Sequence, residues 1–380
     1  MNKSIIASTS PMILLLLLSV VTTLRAENQT ATHSTSAGDV QVEQIAGPFS
    51  HPWALAFLPG GNILVTERSG SLWLVNTNGS RSLVKGIPKV HSQRQGGLLD
   101  VVAARDFSSS REIFLSYSES VEKNRSRTAI AVARLGKQGD RLENLRVIFR
   151  QAPAESTSHH YGSRIVEAAD GNLWVTLGDR GNANKAQNIN NHIGKVIRIA
   201  RDGTIPGDNP WSNKSGAAEN WSHGHRNPQG AALDPQTGAL WTVEHGAKGG
   251  DEINRPGAGL NYGWPIISYG THYIGLKIGE GTHKPGMQQP VHYWDPSIAP
   301  SGMMIYSGTL WPGWKGDIFV GALKYQLISR LEREGDNIKG EERILKGAFG
   351  RIRDVREGPN GAIWFLTDEK DGALYRMTPE

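Results

Sequence analysis

Two neighbouring histidines in the run His159-His160-Tyr161-Gly162-Ser163-Arg164 are suited to moving a proton near neutral pH. A histidine beside glycine on a loop can act as general base; taken alone, such a residue is more often structural. Further along, Trp221-Ser222-His223-Gly224-His225 leads into Arg226-Asn227-Pro228-Gln229-Gly230. An arginine and an amide beside a proline make either a rigid pair of donors or an ordinary turn. Lys324, Arg351 and Arg353 add three cations. Spaced i and i+2 on a strand, the two arginines point the same way. Each can grip a carboxylate through paired hydrogen bonds, and a solvated strand face explains the spacing equally well. The loop Glu244-His245-Gly246-Ala247-Lys248-Gly249-Gly250-Asp251-Glu252-Ile253-Asn254 gathers acids, amides and free carbonyls. Hard cations such as calcium favour such oxygen donors, although the spacing is not that of an EF-hand.

Several chemistries are unsupported. The chain has no Gly-rich phosphate loop opening a helix, no zinc spacing of His and Cys, and no Gly-x-Ser-x-Gly elbow. That argues against dinucleotide oxidoreductases and α/β-hydrolases. The residues by themselves stop at a cationic pocket with a candidate base and a calcium-like loop.

The elements that position these residues repeat. A turn residue followed by Ile or Leu and then aromatic or β-branched residues recurs six times. The copies are Gly61-Asn62-Ile63-Leu64-Val65, Glu112-Ile113-Phe114-Leu115, Gly171-Asn172-Leu173-Trp174-Val175, Gly238-Ala239-Leu240-Trp241-Thr242, Gly316-Asp317-Ile318-Phe319-Val320 and Gly361-Ala362-Ile363-Trp364-Phe365. Alternating strands follow five of them, at Ser71 to Val75, Thr128 to Leu135, Lys195 to Ile199, Gln326 to Leu331 and Ala373 to Met377. After the fourth copy the continuation through Asp251-Glu252-Ile253-Asn254 reads as a loop. Forty-five glycines supply tight turns, and no long helical periodicity is present. The pattern predicts an all-β fold: a six-bladed β-propeller over residues 40–380, with four-stranded antiparallel blades around a central cleft. Two packed β-domains are the alternative, but no Pro- or Ser-rich linker divides the chain.

The N-terminus reads as an address. Lys3, the apolar run Met12 to Val21 and Leu24-Arg25-Ala26 predict a secretory signal peptide over residues 1–26. A polar segment over 27–39 follows. The run is too short to span a bilayer, which takes about 20 residues. Export implies a periplasmic or secreted protein without stable membrane insertion. The absence of cysteine excludes disulfides and thiol chemistry. Net charge is +5, and loss of Lys3 and Arg25 with the leader lowers it by two, too little to argue for nucleic acid.

Taken together and in order, the motifs carry more. Gln95-Gly96-Gly97-Leu98-Leu99-Asp100-Val101, His160-Tyr161-Gly162-Ser163-Arg164, Gly178-Asp179 and Gly224-His225-Arg226-Asn227-Pro228-Gln229-Gly230 are four of them. Gly250-Asp251-Glu252-Ile253-Asn254, Asn261-Tyr262-Gly263-Trp264-Pro265 and Arg351-Ile352-Arg353-Asp354-Val355 complete the set. Over about residues 40 to 380 the chain resembles the soluble pyrroloquinoline quinone (PQQ)-dependent sugar dehydrogenases, most of all the bacterial aldose sugar dehydrogenase type.

The resemblance implies a six-bladed propeller with PQQ in its cleft and calcium beside it. His160 matches the catalytic base, Gln95 a contact on the PQQ and substrate side, and Arg226 with Asn227 the pair at the quinone end. Tyr273, Lys324 and the run Arg351-Ile352-Arg353 match further PQQ contacts, with the backbone around Ala322 and Leu323. Glu252 and Tyr262 match calcium ligands. Gly246 and Ala247 fall where relatives offer two carbonyls to calcium, and some relatives have proline where Ala247 stands. The implied reaction oxidises an aldose at its anomeric carbon to a lactone and passes electrons to an external acceptor, a quinone, dye or cytochrome. Loops such as residues 266–290 would set the preferred sugar, and the protein would be a monomer or dimer. Two other classes stay open: a non-catalytic ligand-binding propeller, as in Hedgehog-interacting-type relatives, and a calcium-dependent propeller lactonase. Retention of His160, Arg226, Lys324, Arg351 and Arg353 together speaks against the first, and the cation cluster is not explained by the second.

Overall fold

The structure is a computed structural model and describes residue 1 and residues 30–122 and 124–380. Apart from Met1, the expected leader lies outside the described residues. Six antiparallel sheets make six blades. Blade one is Pro52–Phe57, Ile63–Glu67, Ser71–Val75 and Arg81–Val84; blade two is Leu98–Ala103, Glu112–Val121, Arg125–Leu135 and Leu142–Arg150. Blade three is Ile165–Glu167, Asn172–Leu177, Lys195–Ala200 and Asn220–His223. Blade four is Pro228–Leu233, Leu240–Glu244, Asp251–Asn254 and His292–Trp294. Blade five is Pro300–Ile305, Ile318–Ala322, Leu327–Glu334 and Asn337–Ile344. Blade six takes Ile352–Glu357, Ile363–Thr367 and Gly372–Pro379 from the end of the chain, then Gly38–Phe49 and Thr30–Thr35 from its start. The first strand of each blade touches that of the next, from blade one round to blade six and back.

The six-bladed expectation holds, and all six sequence copies are second strands. Their alternation explains why. In blade one, Leu64 packs with Leu98, Ile113 and Leu115 of blade two, while Ile63 and Val65 pack with Leu366 and Leu374 of blade six. Phe319 of blade five likewise faces Ile363 and Phe365, while Ile318 and Val320 face Trp241 and Val243. Each second strand is therefore buried on both faces and reads as an unbroken apolar run. Each wholly buried Leu, Ile or Val contributes roughly 1.5–3 kcal/mol.

Two expectations change. Asp251–Asn254 is the third strand of blade four rather than a loop, paired with Leu240–Glu244 and His292–Trp294. Its polar residues hid the strand pattern because they are turned to other uses. The boundary expected at residue 40 falls inside a strand that closes the ring, pairing Val42 with Met377. Residues 30–35 of the polar segment add a fifth strand outside it.

Hydroxyls stitch neighbouring blades together at one position of the repeat. Thr66 Oγ1 donates to the carbonyl of Leu99, Ser116 Oγ to Ser163 and Thr176 Oγ1 to Pro228, at 2.6, 2.7 and 2.8 Å. Blade five has Gly321 there, and Ser301 fills the space instead. Its Oγ, only 2.7 Å from where a Cβ on Gly321 would stand, bonds the carbonyls of Gly321 and Ile352.

The axis itself is plugged by charge. Arg164 reaches Asp100 at 2.9 Å and Asp354 at 3.1 Å, and Arg356 reaches the same two carboxylates at 2.9 and 3.1 Å. The Arg164 guanidinium lies over the Trp53 ring at 4.5 Å, and its Nε donates to the Gln229 carbonyl. The main-chain N–H of Ile165 donates to Asp100 Oδ2, and that of Leu55 to the Asp354 oxygen that Arg356 also contacts. Five blades meet in this cluster, and Asp100, Arg164 and Asp354 are buried. Replacing Arg164 with Met leaves two buried carboxylates sharing one arginine, with an expected cost of about 3–5 kcal/mol. A guanidinium unfolding midpoint equal to that of the wild type would show that the plug does not hold the ring.

Candidate active site

Above the plug lies a cavity of about 620 Å³ whose lining includes residues from all six blades or their loops. Of the residues singled out in the sequence, Gln95, His160, Arg226, Asn227, Gly246, Ala247, Tyr273, Leu323, Lys324, Arg351 and Arg353 line it. Ala322 and Ile352 do not; alternation along their strands turns both side chains into the core. Glu252 and Tyr262 lie around a second, much smaller void that shares Arg226, His245 and Gly246 with the main cavity.

His160 is held from three sides. Its backbone takes φ 50°, a left-handed conformation uncommon outside glycine. The Gln95 side chain accepts its N–H at 2.7 Å, and Asp179 Oδ1 accepts its ring Nδ1–H at 2.6 Å. Because a carboxylate only accepts, the hydrogen sits on Nδ1, and Nε2 is left as the acceptor. Gly178 is needed here: a Cβ would stand 2.0 Å from the His160 carbonyl oxygen. Asp179 is itself immobilised by Trp264 Nε1 at 2.8 Å and by the N–H of Gly181 at 2.7 Å. Burial would raise its carboxyl, but the hydrogen bond and charge of His160, with Arg226, hold it below the usual range. His159 does not line the cavity; its ring approaches Arg94 Nη1 at 3.4 Å. Burial, then the charges of His160, Arg94 and Arg180, lower its pKa.

Opposite the histidine, three arginines converge on one acid. Asp368 is contacted by Arg353, by Arg68 at 3.5 Å and by Arg351 at 3.8 Å. Burial alone would raise the Asp368 carboxyl, but Arg353 and Arg68, with a His51 hydrogen bond, hold it far below the carboxylate range. Arg353 also donates to Gln229 Oε1 at 3.1 Å, which His245 Nε2 approaches at 3.0 Å. Burial and the surrounding arginines keep His245 well below its ordinary value, so it stays neutral. Arg226 lies over the Trp264 ring at 5.3 Å, and its Nε has no partner; neither has Nε of Arg353. The lining holds Arg68, Arg226, Lys248, Lys324, Arg351 and Arg353 against Asp295 and Asp368. Buried guanidinium donors without partners and a surplus of cations fit a ligand carrying several carboxylates.

The small void suits a cation. Burial and the facing Glu244 carboxylate push Glu252 up in pKa, and Asn254 Nδ2 donates to both acids at 3.0 and 3.1 Å. Asn254 Oδ1 is buried without a partner. Paired acids and an orphaned oxygen are what a hard cation relieves. The Tyr262 hydroxyl is committed to the Arg255 carbonyl and to the N–H of Gly257, so only its main-chain carbonyl is free to serve. Asp251 is also committed, accepting from Gly246, Ser297, Ile298 and Ala299. Lys248 and Thr271 exchange main-chain hydrogen bonds at 3.0 Å, which fixes the Gly246–Ala247 loop without a proline at 247.

Asp179 and Trp264 stood in motifs quoted from the sequence, without a role. Gln229 and His245 likewise stood in named runs without a role, and Arg68 and Asp368 carried no signal at all. They reach the cavity from distant blades, and no local spacing announces that.

A histidine–carboxylate pair facing a cationic cleft at the centre of a propeller suits redox or acid–base chemistry beside a polyanionic group. Comparison with known proteins sharpens this. The family model for glucose/sorbosone dehydrogenase matches residues 49–376. Aldose sugar dehydrogenase YliI of Escherichia coli K12 is 44% identical over 346 residues, 90% of this chain and 93% of that protein. The crystal structure of the soluble aldose sugar dehydrogenase from Escherichia coli, in the apo form, superposes with a TM-score of 0.88 at 43% identity, covering 90% of this chain and 100% of that one. The PQQ-bound aldose sugar dehydrogenase of Streptomyces coelicolor gives a TM-score of 0.76 at 25% identity, covering 89% and 98%. The chain therefore belongs to the glucose/sorbosone dehydrogenase family and is an oxidoreductase, as its motifs implied.

The Asp368 cluster makes a pH-dependent contribution with a definite sign. A carboxyl whose folded pKa is depressed stabilises fully above its unfolded pKa, and that stability fades as pH falls towards the folded value. Asp368→Asn should therefore cost about 3 kcal/mol at pH 7, with the gap to wild type narrowing only below about pH 4. Thermal or denaturant melts across pH measure it. A gap that stays constant down to pH 2 would contradict the pairing.

Proposed function

We propose that the protein oxidises aldose sugars at the anomeric carbon to lactones, with PQQ and calcium, and passes the electrons to an external acceptor. The observation that carries this reading is the His160–Asp179 pair at a cavity lined by six cations against two acids. That the Streptomyces coelicolor relative is PQQ-bound supports it. When bound, PQQ supplies the acceptor for the hydride that leaves the anomeric carbon. Lys324, Arg351 and Arg353 would hold its carboxylates, and Arg226 with Asn227 would face its quinone end. Gln95 would sit on the substrate side. Calcium would be held by the carbonyls of Gly246 and Ala247, or by Glu252 with the Tyr262 carbonyl, and would supply positive charge near the reacting groups.

The chain's own part is proton handling. Nε2 of His160 takes the proton of the anomeric hydroxyl as the C–H bond breaks, so a neutral lactone leaves. Asp179 keeps the ring in the tautomer that accepts there and stabilises the imidazolium that forms. Arg226 and the other cavity cations favour the charge that develops on the acceptor side.

Reconstituting the apo-protein with PQQ and calcium, then following dye reduction over a panel of sugars, tests the reading. His160→Ala should bind PQQ normally yet turn over roughly 10²–10⁴-fold more slowly, whereas His159→Ala keeps most activity. Lys324→Ala or Arg353→Ala should weaken PQQ binding by about 10- to 150-fold. Omitting calcium should leave PQQ-loaded protein inactive. A wild type that oxidises no aldose when fully loaded would sink the proposal.

The apolar run Met12 to Val21 supports export, which places this chemistry in the periplasm or medium. The mature N-terminus is expected between about residues 22 and 30. Sequencing exported protein and finding Met1 would refute that.

A further inference from the structure

The long connection between the third and fourth strands of blade four, residues 255–291, raises a tip beside the cavity mouth. Thr271 pairs with Lys248 on one side and Lys277 on the other. The N–H of His272 bonds the Leu276 carbonyl at 2.8 Å, and Gly275, at φ 87°, closes the turn onto His272. The turn holds its apolar side chains outward: Tyr273 is 74% exposed, Ile274 81% and Leu276 62%. Tyr293, stacked on Tyr269, adds a fourth apolar group at 46%. No other stretch of the described residues shows three large exposed apolar side chains so close together.

Charge around the tip is one-sided. Residues 255–291 carry Lys277 and Lys284, with His272 and His283, against a single acid, Glu280; Arg255, at the start of the connection, is already paired with Asp336. Lys284 already binds that acid at 2.8 Å. Lys248, on the loop bridged to Thr271, is exposed as well. Three apolar side chains standing out from a fixed turn suit insertion between lipid headgroups, with tyrosine at the interface and lysines reaching phosphates. A second copy of the chain is a poorer occupant, because it would bring the same cations face to face. We propose that the Tyr273–Leu276 tip docks the protein on an anionic bilayer surface. The inference goes beyond the dehydrogenase reading and stands without it. Since Thr271 and Tyr273 also line the cavity, docking would turn its mouth towards the membrane.

Sedimentation with vesicles tests this independently of activity. At low salt the wild type should bind vesicles of phosphatidylcholine with phosphatidylglycerol, and bind phosphatidylcholine alone about 10-fold more weakly or worse. Ile274→Asp/Leu276→Asp should lower the partition by about 10-fold or more, with an unchanged unfolding midpoint. Lys277→Glu should weaken binding at low salt and matter less at high salt. The proposal is overturned if wild type stays in the supernatant with anionic vesicles, or if the double variant binds as wild type does. Light scattering that shows a dimer, broken by the double variant, would assign the tip to a second copy and overturn it too.

Discussion

Everything above the axis rests on four charges below it. Asp100, Arg164, Asp354 and Arg356 come from blades two, three and six, and they neutralise one another with all but Arg356 buried. Separating them would strand buried charge, which is far costlier than the net gain from forming the pairs. The cluster therefore acts less as a source of stability than as a specification: the first strands can meet in only one arrangement. Trp53 lies against Arg164 and also forms part of the cavity wall. Gln229 ties the two levels more directly, accepting Arg164 on its carbonyl and Arg353 on its side chain. The position of Arg353 in the cavity wall is thus set from the plug upward.

The cavity repeats that logic with the balance left open. In the plug, two arginines meet two carboxylates; around Asp368, three arginines meet one. The protein gathers these cations on a single acid and leaves Nε of Arg68 and of Arg353 buried without partners. Such an arrangement is tolerable in a partly solvated cleft and is completed by an anionic ligand. The small void behind Gly246 shows the opposite imbalance, with Glu244 and Glu252 facing each other. Two neighbouring sites of opposite excess charge are suited to an anion and a cation held side by side.

What the sequence shows plainly is what the backbone repeats. The six second strands are apolar on both faces, so Ile63-Leu64-Val65 and its counterparts stand out without any alignment. Third strands were legible wherever their residues alternate, and Asp251–Asn254 was not, because Asp251 anchors a neighbouring loop instead of packing in a core. Thr30–Thr35 was hidden for a different reason: an edge strand half exposed to water has no apolar stripe. In the site, type and spacing singled out His160 and the paired arginines, but only the family resemblance implied roles for them. Asp179, Asp368 and Gln229 were given none, since their roles come from partners 19, 15 and 124 residues away. Ala322 and Ile352 show the converse, two residues beside the cavity whose side chains the strand pleat turns inward.

The closing strand of blade six sets the order in which this molecule can assemble. Gly38–Phe49 is made long before its partner Gly372–Pro379, with blades one to five between them. Blades one to five can build from contacts between near neighbours, while the final seam joins the two most distant parts of the chain. Loop-closure entropy falls on that one step, making it the natural kinetic bottleneck. Until it happens, a long strand edge waits without a partner at each end of the chain, and those edges are where a growing or newly released molecule is most exposed to pairing with its neighbours.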